Sequence, residues 1–272
     1  MRAANPARGN LFLRPRSILC VALDCFVMNI AHPRVSTIAT SDIKRFDGVT
    51  ELQRQAALDI AELANSAVER RGVCNISLSG GSTPGPIYRR LADQSLPWEK
   101  IHWFWGDERH VPPDSDESNF RMVREALLDV AGVPESNVHR VPAEMDDAAS
   151  AARRYEATLR DHFGSDQWPA WDLMLLGMGD DAHTASLFPQ TEALAEDQRW
   201  FVSNWVPKFD THRLTLTVSA INSARQTWFL IAGENKRSAI ASVLGQNTDL
   251  AEYPSQMIRA DRWYVTTDAY PD

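Results

Sequence analysis

The stretch WDLMLLGMGDDAHTASLFP, residues 171–189, indicates both the fold and the site of this chain. Its apolar start predicts a buried strand, and the glycine-rich part that follows leads to a helix start. Asp180, Asp181 and His183 lie directly after that strand. In α/β proteins ligands bind at the carboxyl ends of strands, and a histidine there can exchange protons near neutral pH. A capped turn with solvated carboxylates explains these residues equally well.

Length and composition favour a globular chain in which residues 38–272 form one domain. Of the 272 residues, 44% are hydrophobic and 24% are charged, which is typical of a protein with a sizeable core. The net charge of −8 argues against a nucleic-acid partner, although a locally positive pocket could still bind an anion. Cys20, Cys25 and Cys74 have no C-x-x-C spacing. We therefore expect neither a disulfide framework nor a zinc motif, which suits the cytoplasm.

Residues 1–37 differ from the rest of the chain. Four arginines precede the apolar run SILCVALDCFVMNIA, which resembles a signal peptide. Asp24 interrupts the run, and the run is too short and too charged to span a membrane. We expect a disordered extension, or an over-extended start with Met28 as the true one; a cleaved signal is the alternative.

The remaining sequence alternates strand and helix patterns. Thr50 and Gln53 have capping-box spacing, and apolar residues at steps of three and four predict a helix over residues 50–71 that Gly72 ends. Further helices are predicted near residues 120–132, 152–163 and 233–245. The predicted strands are VCNISL, IHWFW, VHRVPA, WDLMLL, WFVSNW, RLTLT, QTWFLIAG and RWYVTT. This order predicts an α/β fold with a mostly parallel sheet and helices on both faces.

A glycine-rich segment, SGGSTPGP at residues 79–86, lies between a predicted strand and a predicted helix. Gly80 and Gly81 can expose backbone amides, and the hydroxyls of Ser82 and Thr83 can cap the helix that Pro84 begins. Amides at a helix N-terminus form a phosphate site. An ordinary capped turn is the alternative.

Positive side chains follow several predicted strands. Arg109 and Asp107 follow IHWFW, and an arginine can bind phosphate in a bidentate manner, although pairing with a neighbouring carboxylate is the commoner outcome. Lys236 lies near a helix start, where a positive charge opposes the helix dipole unless an anion is bound. The segment KFDTHR, residues 208–213, adds three weaker candidates for a positive group, among them Lys208 and Arg213.

Metal binding is a competing use of Asp107, His110, Asp181 and His183. No pair of them has the spacing of a helical motif such as H-E-x-x-H, so we expect no metal site. The chain also lacks the G-x-S-x-G sequence of a serine hydrolase.

The segments SGGSTP, GDERHVP with a following SN, GMGDDAHTASLFP, RLTLT and FLIAG-ENK together resemble the 6-phosphogluconolactonase family, in the family's order. The resemblance implies a fold related to glucosamine-6-phosphate deaminases and ribose-5-phosphate isomerases. It also implies hydrolysis of 6-phospho-D-glucono-1,5-lactone to 6-phospho-D-gluconate, in the oxidative pentose phosphate pathway, without a metal or cofactor. Ala182 stands where the family usually has glycine, which costs about 1 kcal/mol if that position needs a positive φ.

The resemblance also implies roles for the candidate residues. His183 matches the family histidine and would act first as general base and then as general acid. Asp181 or Asp107 would orient its imidazole or bind sugar hydroxyls, and the sequence does not decide between them. The substrate phosphate would bind a set of amides, hydroxyls and cations: Gly80, Gly81, Ser82, Thr83, Arg109, Lys236 and Arg213.

Two alternatives to this activity are a glucosamine-6-phosphate deaminase-like isomerase and a non-catalytic sugar-phosphate sensor. The isomerase family carries a glutamate after its histidine segment, whereas the nearest polar residue here is Gln190. The Ala182 departure is the one feature that favours a sensor. The expected partner is a small phosphosugar lactone, and the expected assembly is a monomer or weak homodimer.

Overall fold

The computed structural model of the chain describes residues 43–164 and 167–271. The predictions for residues 1–37, and those for Cys20 and Cys25, fall outside these ranges. Cys74 is buried and carries a free thiol. None of the described helices is both long and apolar enough to cross a membrane.

The larger of two sheets contains seven strands, all parallel: β1 (Ile43–Phe46), β2 (Cys74–Leu78), β3 (Ile101–Trp105), β5 (Val138–His139), β6 (Leu173–Leu176), β9 (Thr227–Ile231) and β10 (Arg262–Thr266). Their order across the sheet is β1-β10-β9-β6-β2-β3-β5. Every residue of β2, β6 and β9 is buried, so elements cover both faces of the sheet. This confirms the predicted mostly parallel sheet.

A smaller antiparallel sheet, which the sequence did not predict as separate, joins β4 (Asp107–Arg109), β8 (Thr211–Leu216) and β7 (Phe201–Val206). The chain passes from the large sheet to the small one at Gly106. The Gly106 amide donates to the Leu78 carbonyl (2.9 Å), and its carbonyl accepts from the Leu216 amide (2.9 Å). Residues after β3 are thereby held at the junction of the two sheets.

The described helices are α1 (Val49–Arg71), α2 (Pro84–Ala92), α3 (Asn119–Val123), α4 (Asp129–Ala131), α5 (Ala148–Phe163), α6 (Val218–Asn222) and α7 (Arg237–Leu244). The predicted Thr50 cap is wrong, because extended backbone at Gly48 starts α1 at Val49 and places Thr50 in its first turn. Gly72 ends α1 as predicted, in the left-handed conformation. The helix predicted over residues 120–132 is interrupted by a π-helical turn, Arg124–Leu128.

Helix α5 connects the two sheets. The Tyr155 hydroxyl accepts a hydrogen bond from the Trp105 amide of β3 (2.9 Å), and its ring meets Phe201 of β7 edge-on at 4.6 Å between centroids. Asp147 caps the helix by accepting from the Ser150 amide (2.8 Å). These contacts hold the small sheet beside the carboxyl end of β3, where the candidate site lies.

Candidate active site

A cavity of about 260 Å³ opens at the carboxyl ends of β2, β3, β6 and β9. Among the predicted site residues, those that line it are Gly80, Gly81, Asp107, Arg109, His183, Arg213 and Lys236. Ser82, Thr83 and Asp181 do not line it, and Thr83 makes no capping hydrogen bond with its side chain. The fold thus brings together residues from three separate loops, after β2, β6 and β9, and from the small sheet.

The His183 imidazole is held at one nitrogen by Asp181. Their Nδ1–Oδ1 distance is 2.5 Å, and the second carboxylate oxygen of Asp181 accepts from Lys208 Nζ at 2.8 Å. Because Asp181 contacts Nδ1, the other ring nitrogen, Nε2, is left for the cavity. Lys208, which precedes β8, was one of the weaker candidate cations in KFDTHR, but its contact with Asp181 was not predicted.

The Asp181 carboxylate stays ionised through these contacts. Burial alone would raise its pKa, but the hydrogen bonds from His183 and Lys208 outweigh burial and hold the pKa well below its usual range. A negative charge beside Nδ1 favours the tautomer with a proton on Nδ1, and it also stabilises an imidazolium.

Asp107 occupies a different position from Asp181. Its Oδ2 accepts a hydrogen bond from Ser186 Oγ (2.8 Å), and the residue is only 8% exposed. Of the two carboxylates that the sequence left open, Asp181 is therefore the one in contact with the His183 imidazole.

An aromatic row forms the wall beside the histidine. Phe188 stacks on the His183 ring at 4.0 Å between centroids, and Phe209 meets Phe188 edge-on at 5.6 Å. The guanidinium of Arg213 lies 5.4 Å from the centre of the Phe209 ring. This wall fixes the plane of the imidazole and gives one side of the cavity an apolar surface.

Gly179 leaves the space that the imidazole occupies. A Cβ on Gly179 would lie 2.1 Å from His183 Nδ1 and 2.6 Å from Asp181 Oδ1, closer than any real contact. The Gly179 amide also donates to the His183 carbonyl at 2.8 Å. Gly179 lies within residues 171–189, but the sequence alone does not show that the imidazole needs this space.

Ala182 has a positive φ of 61° and is almost fully buried. This is the left-handed region, where alanine costs about 1 kcal/mol of strain relative to glycine. The Ala182 carbonyl accepts from the amide (3.1 Å) and the hydroxyl (2.8 Å) of Ser255, which hold the backbone in this conformation. The His183–Asp181 contact is formed despite the strain.

Glu108 fixes the loop between β4 and α3. Its buried carboxylate accepts from the amides of Asn119 (2.8 Å) and Phe120 (2.7 Å) and from Ser118 Oγ (3.2 Å). Burial raises the pKa of Glu108 by more than these bonds lower it. A carboxylate beside Arg109 in the sequence was expected to pair with it at the surface, whereas the Glu108 carboxylate anchors the N-terminus of α3.

The anchored loop brings Asn119 against the glycine-rich segment. Asn119 Nδ2 donates to the Asp107 carbonyl (3.0 Å), and its Oδ1 lies where a Cβ on Gly80 would be only 1.8 Å away. Glycine at position 80 thus permits the close approach of β2 and α3, and both residues line the cavity.

Three cations reach the cavity without a paired carboxylate. Arg109 donates to the Glu117 backbone carbonyl, and within residues 43–164 and 167–271 neither Arg109, Arg213 nor Lys236 has a carboxylate oxygen within 4.0 Å. Arg109 and Arg213 are register partners across β4 and β8, so like charges lie opposite each other. Burial, and then the charge of Arg109, lower the pKa of Arg213. An anion between these groups would relieve the repulsion.

The Ser79 hydroxyl also lacks a hydrogen-bond partner among the described residues. Ser79 is 5% exposed and lines the cavity, and its Oγ has no hydrogen-bond partner in the described part of the chain. A buried hydroxyl without a partner costs about 1–3 kcal/mol, which a bound polar ligand would offset. Ser79 begins the predicted SGGSTPGP segment but was not among the predicted site residues.

The four residues considered as metal ligands do not converge. His110 Nε2 lies 2.6 Å from the Met145 carbonyl, and His110 does not line the cavity. Asp107 is bonded to Ser186, while Asp181 holds His183.

Comparison with known proteins shows which family the chain resembles. The model of a family described as glucosamine-6-phosphate isomerases/6-phosphogluconolactonase matches residues 48–266. A 6-phosphogluconolactonase from a Nostoc species is 48% identical over 198 residues, which are 72% of this chain and 81% of that protein. One from Synechocystis is 44% identical over 211 residues, 76% of this chain and 87% of that protein.

Solved structures show the same fold. The crystal structure of a 6-phosphogluconolactonase from Shewanella baltica has a TM-score of 0.76 at 30% identity, covering 87% of this chain and 100% of that chain. The crystal structure of a 6-phosphogluconolactonase from Thermotoga maritima has a TM-score of 0.73 at 31% identity, covering 83% of this chain and 99% of that chain. The chain therefore belongs to the glucosamine-6-phosphate isomerase/6-phosphogluconolactonase family.

Proposed function

We propose that this pocket hydrolyses 6-phospho-D-glucono-1,5-lactone to 6-phospho-D-gluconate, with His183 as the proton-transfer group. The observation that carries the proposal is the joint presence, in one cavity, of a carboxylate-bound histidine and three cations that lack paired carboxylates. The relatives that match most of the chain bear the name of this activity, which supports the same substrate.

The reaction needs one proton to be removed and one to be delivered. Nε2 of neutral His183 takes a proton from water as the water oxygen attacks C1 of the lactone. The resulting imidazolium, stabilised by Asp181, then gives that proton to the ring oxygen as the C1–O bond breaks. Asp181 does not touch the substrate in this scheme; it is a positioning residue that holds Nδ1.

The phosphate group lies at the other end of the substrate. Arg213, Arg109 and Lys236 supply positive charge there, and the amides of Gly80 and Gly81 supply N–H donors. Ser82 and Thr83 are less suited to this role because they do not line the cavity.

The sugar hydroxyls lie between these two ends. Ser79 Oγ has no partner in the described residues, and Asp107 and Asn119 offer further polar atoms on the cavity wall. Asp107 is therefore proposed as a sugar-binding group.

We expect Gly179→Ala to lower kcat by about 100-fold or more, because the added methyl group takes the place of the imidazole and a misplacement of about 1 Å is enough for such a loss. Steady-state kinetics with circular dichroism as a folding check measure this. The matched control is Gly48→Ala, whose Cβ meets nothing within 4 Å. Equal kcat values in the two variants would show that the imidazole position does not limit the reaction.

The activity is tested by adding the protein to freshly generated 6-phosphogluconolactone and following acid release. We expect acceleration well above spontaneous hydrolysis. Ammonia release from glucosamine 6-phosphate would instead indicate the isomerase, for which we find little support, since Gln190 contacts Glu252 and does not line the cavity. Binding of 6-phosphogluconate without any acceleration would indicate a sensor.

A cytoplasmic location and a monomer or weak homodimer complete the proposal. The free thiol of Cys74 and the acidic composition suit the cytoplasm. Analytical ultracentrifugation of the full chain tests the assembly.

A further inference from the structure

Three histidines converge on β3, on β5 at the edge of the large sheet and on helix α5, and none of them lines the cavity. His102 is the second residue of β3, His139 is the last residue of β5, and His162 lies in the last turn of α5. In the parallel register Phe104 is opposite His139, so His102, Phe104 and His139 share one face of the sheet. We propose that His102, His139 and His162 bind one divalent transition-metal ion of the zinc type.

The distances between the ring nitrogens suit such an ion. His102 Nδ1 lies 3.0 Å from His139 Nε2, and each of the three rings offers a nitrogen within 4.8 Å of the others. Zinc–nitrogen bonds of about 2.0–2.1 Å place tetrahedral ligand nitrogens about 3.3 Å apart. The His102–His139 pair is already close to this spacing, and the offered nitrogens of all three rings lie within 4.8 Å of one another.

The surroundings of the three rings favour a metal over an ion pair. No carboxylate in the described residues forms an ion pair with them, and the nearest neighbours are aromatic: Phe104 stacks on His139 at 4.4 Å, and Phe163 meets His162 at 4.8 Å.

The orientation of His162 is set from outside the cluster. Its Nε2 lies 2.9 Å from the Oδ1 atom of Asn75, on β2. Histidines that bind metals typically donate their other ring N–H to an oxygen of this kind. Imidazole ligands without carboxylates select zinc, copper or nickel over magnesium and calcium, and three protein ligands leave a fourth position for water.

This site is separate from the catalytic cavity. None of the three histidines lines the cavity, and His102 lies near the start of β3, about 10 Å along that strand from its last residue, Trp105. Metal binding should therefore stabilise the contact between β3, β5 and α5 and leave lactone hydrolysis unchanged. The inference does not depend on the proposed function.

The test is a titration of the full-length, tag-free protein with Co²⁺ and with Zn²⁺. We expect one equivalent of Co²⁺ to bind with the visible absorption of four- or five-coordinate cobalt, Zn²⁺ to displace it, and Zn²⁺ to raise the Tm. His139→Asn and His162→Asn should each weaken Zn²⁺ binding by at least about 10-fold. The control variant His212→Asn removes an exposed histidine and should bind as the parent does.

Circular dichroism and lactone hydrolysis verify that each variant is folded. If His139→Asn folds poorly, the parent protein alone decides: the absence of a cobalt spectrum and of a Tm shift at saturating Zn²⁺ overturns the proposal. Equal Zn²⁺ affinity in His139→Asn and His212→Asn also overturns it. The three rings would then be an aromatic cluster that contributes packing only.

Discussion

Replacing His183 with alanine is expected to lower kcat for 6-phosphogluconolactone by about 100- to 10,000-fold, the contribution of one general acid–base group. The substrate KM and the affinity for 6-phosphogluconate should change little, because the phosphate is held by cations at the other end of the cavity. Stopped-flow or pH-indicator assays of acid release measure kcat, with the spontaneous rate subtracted.

The matched control for this variant is His212→Ala, which removes an exposed histidine on β8 that does not line the cavity. Its kcat should equal that of the parent protein. Unchanged turnover in His183→Ala would remove the histidine from the mechanism, whereas equal losses in both variants would point to a folding defect. Asp181→Asn should cause a smaller loss than His183→Ala, since the imidazole remains and only its charged partner is lost.

Replacing Arg213 with methionine is expected to reduce kcat/KM for the phosphorylated lactone by about 10- to 100-fold, the usual value of a charge-assisted hydrogen bond to phosphate. Methionine keeps the apolar stem that packs near Phe209. Hydrolysis of unphosphorylated glucono-1,5-lactone should be nearly unaffected.

Without ligand, the same substitution should leave the thermal stability of the protein unchanged or raise it. Arg109 and Arg213 face each other across β4 and β8, so removal of one charge relieves a repulsion that exists only without the phosphate. We expect the Tm of Arg213→Met without ligand to be equal to or above that of the parent. The control is Lys100→Met, which removes an exposed cation at the amino end of β3. A similar loss with phosphorylated and unphosphorylated lactones would contradict a phosphate role for Arg213.

Much of the fold could be predicted from local patterns. Apolar runs bounded by glycine and proline gave the buried strands β2, β3, β6 and β9, and the positions just after them supplied most of the cavity. The separate sheet of β4, β7 and β8 could not be predicted in this way. Its pairing joins Asp107 to Thr215, residues far apart in sequence, and a strand pattern does not identify its partner.

The types of residue in the site could be predicted from the sequence, but the contacts between their side chains could not. His183 was evident from its place after β6, yet whether Asp181 or Asp107 would hold its imidazole depended on the turn that brings Asp181 back to Nδ1. The Lys208–Asp181 contact and the role of Ser79 were not predicted, because the first is a long-range contact and the second depends on a missing hydrogen bond.

The histidine cluster on β3, β5 and α5 illustrates the same limit more strongly. No short spacing joins His102, His139 and His162, because three separate elements bring them together. Conversely, Thr50 had the spacing of a helix cap, but the extended backbone at Gly48 places it inside the helix. Local spacing thus predicted a Thr50 helix cap that the fold does not form, and it did not predict the histidine cluster that the fold does form.

The central claim is that the lactone carbon lies at His183 while the phosphate lies at Arg109, Arg213 and Lys236. A crystal structure of the protein with bound 6-phosphogluconate tests it most directly. We predict the C1 carboxylate within hydrogen-bond distance of His183 Nε2 and the phosphate in contact with Arg213. A product bound in the reverse direction, or outside this cavity, would contradict the account.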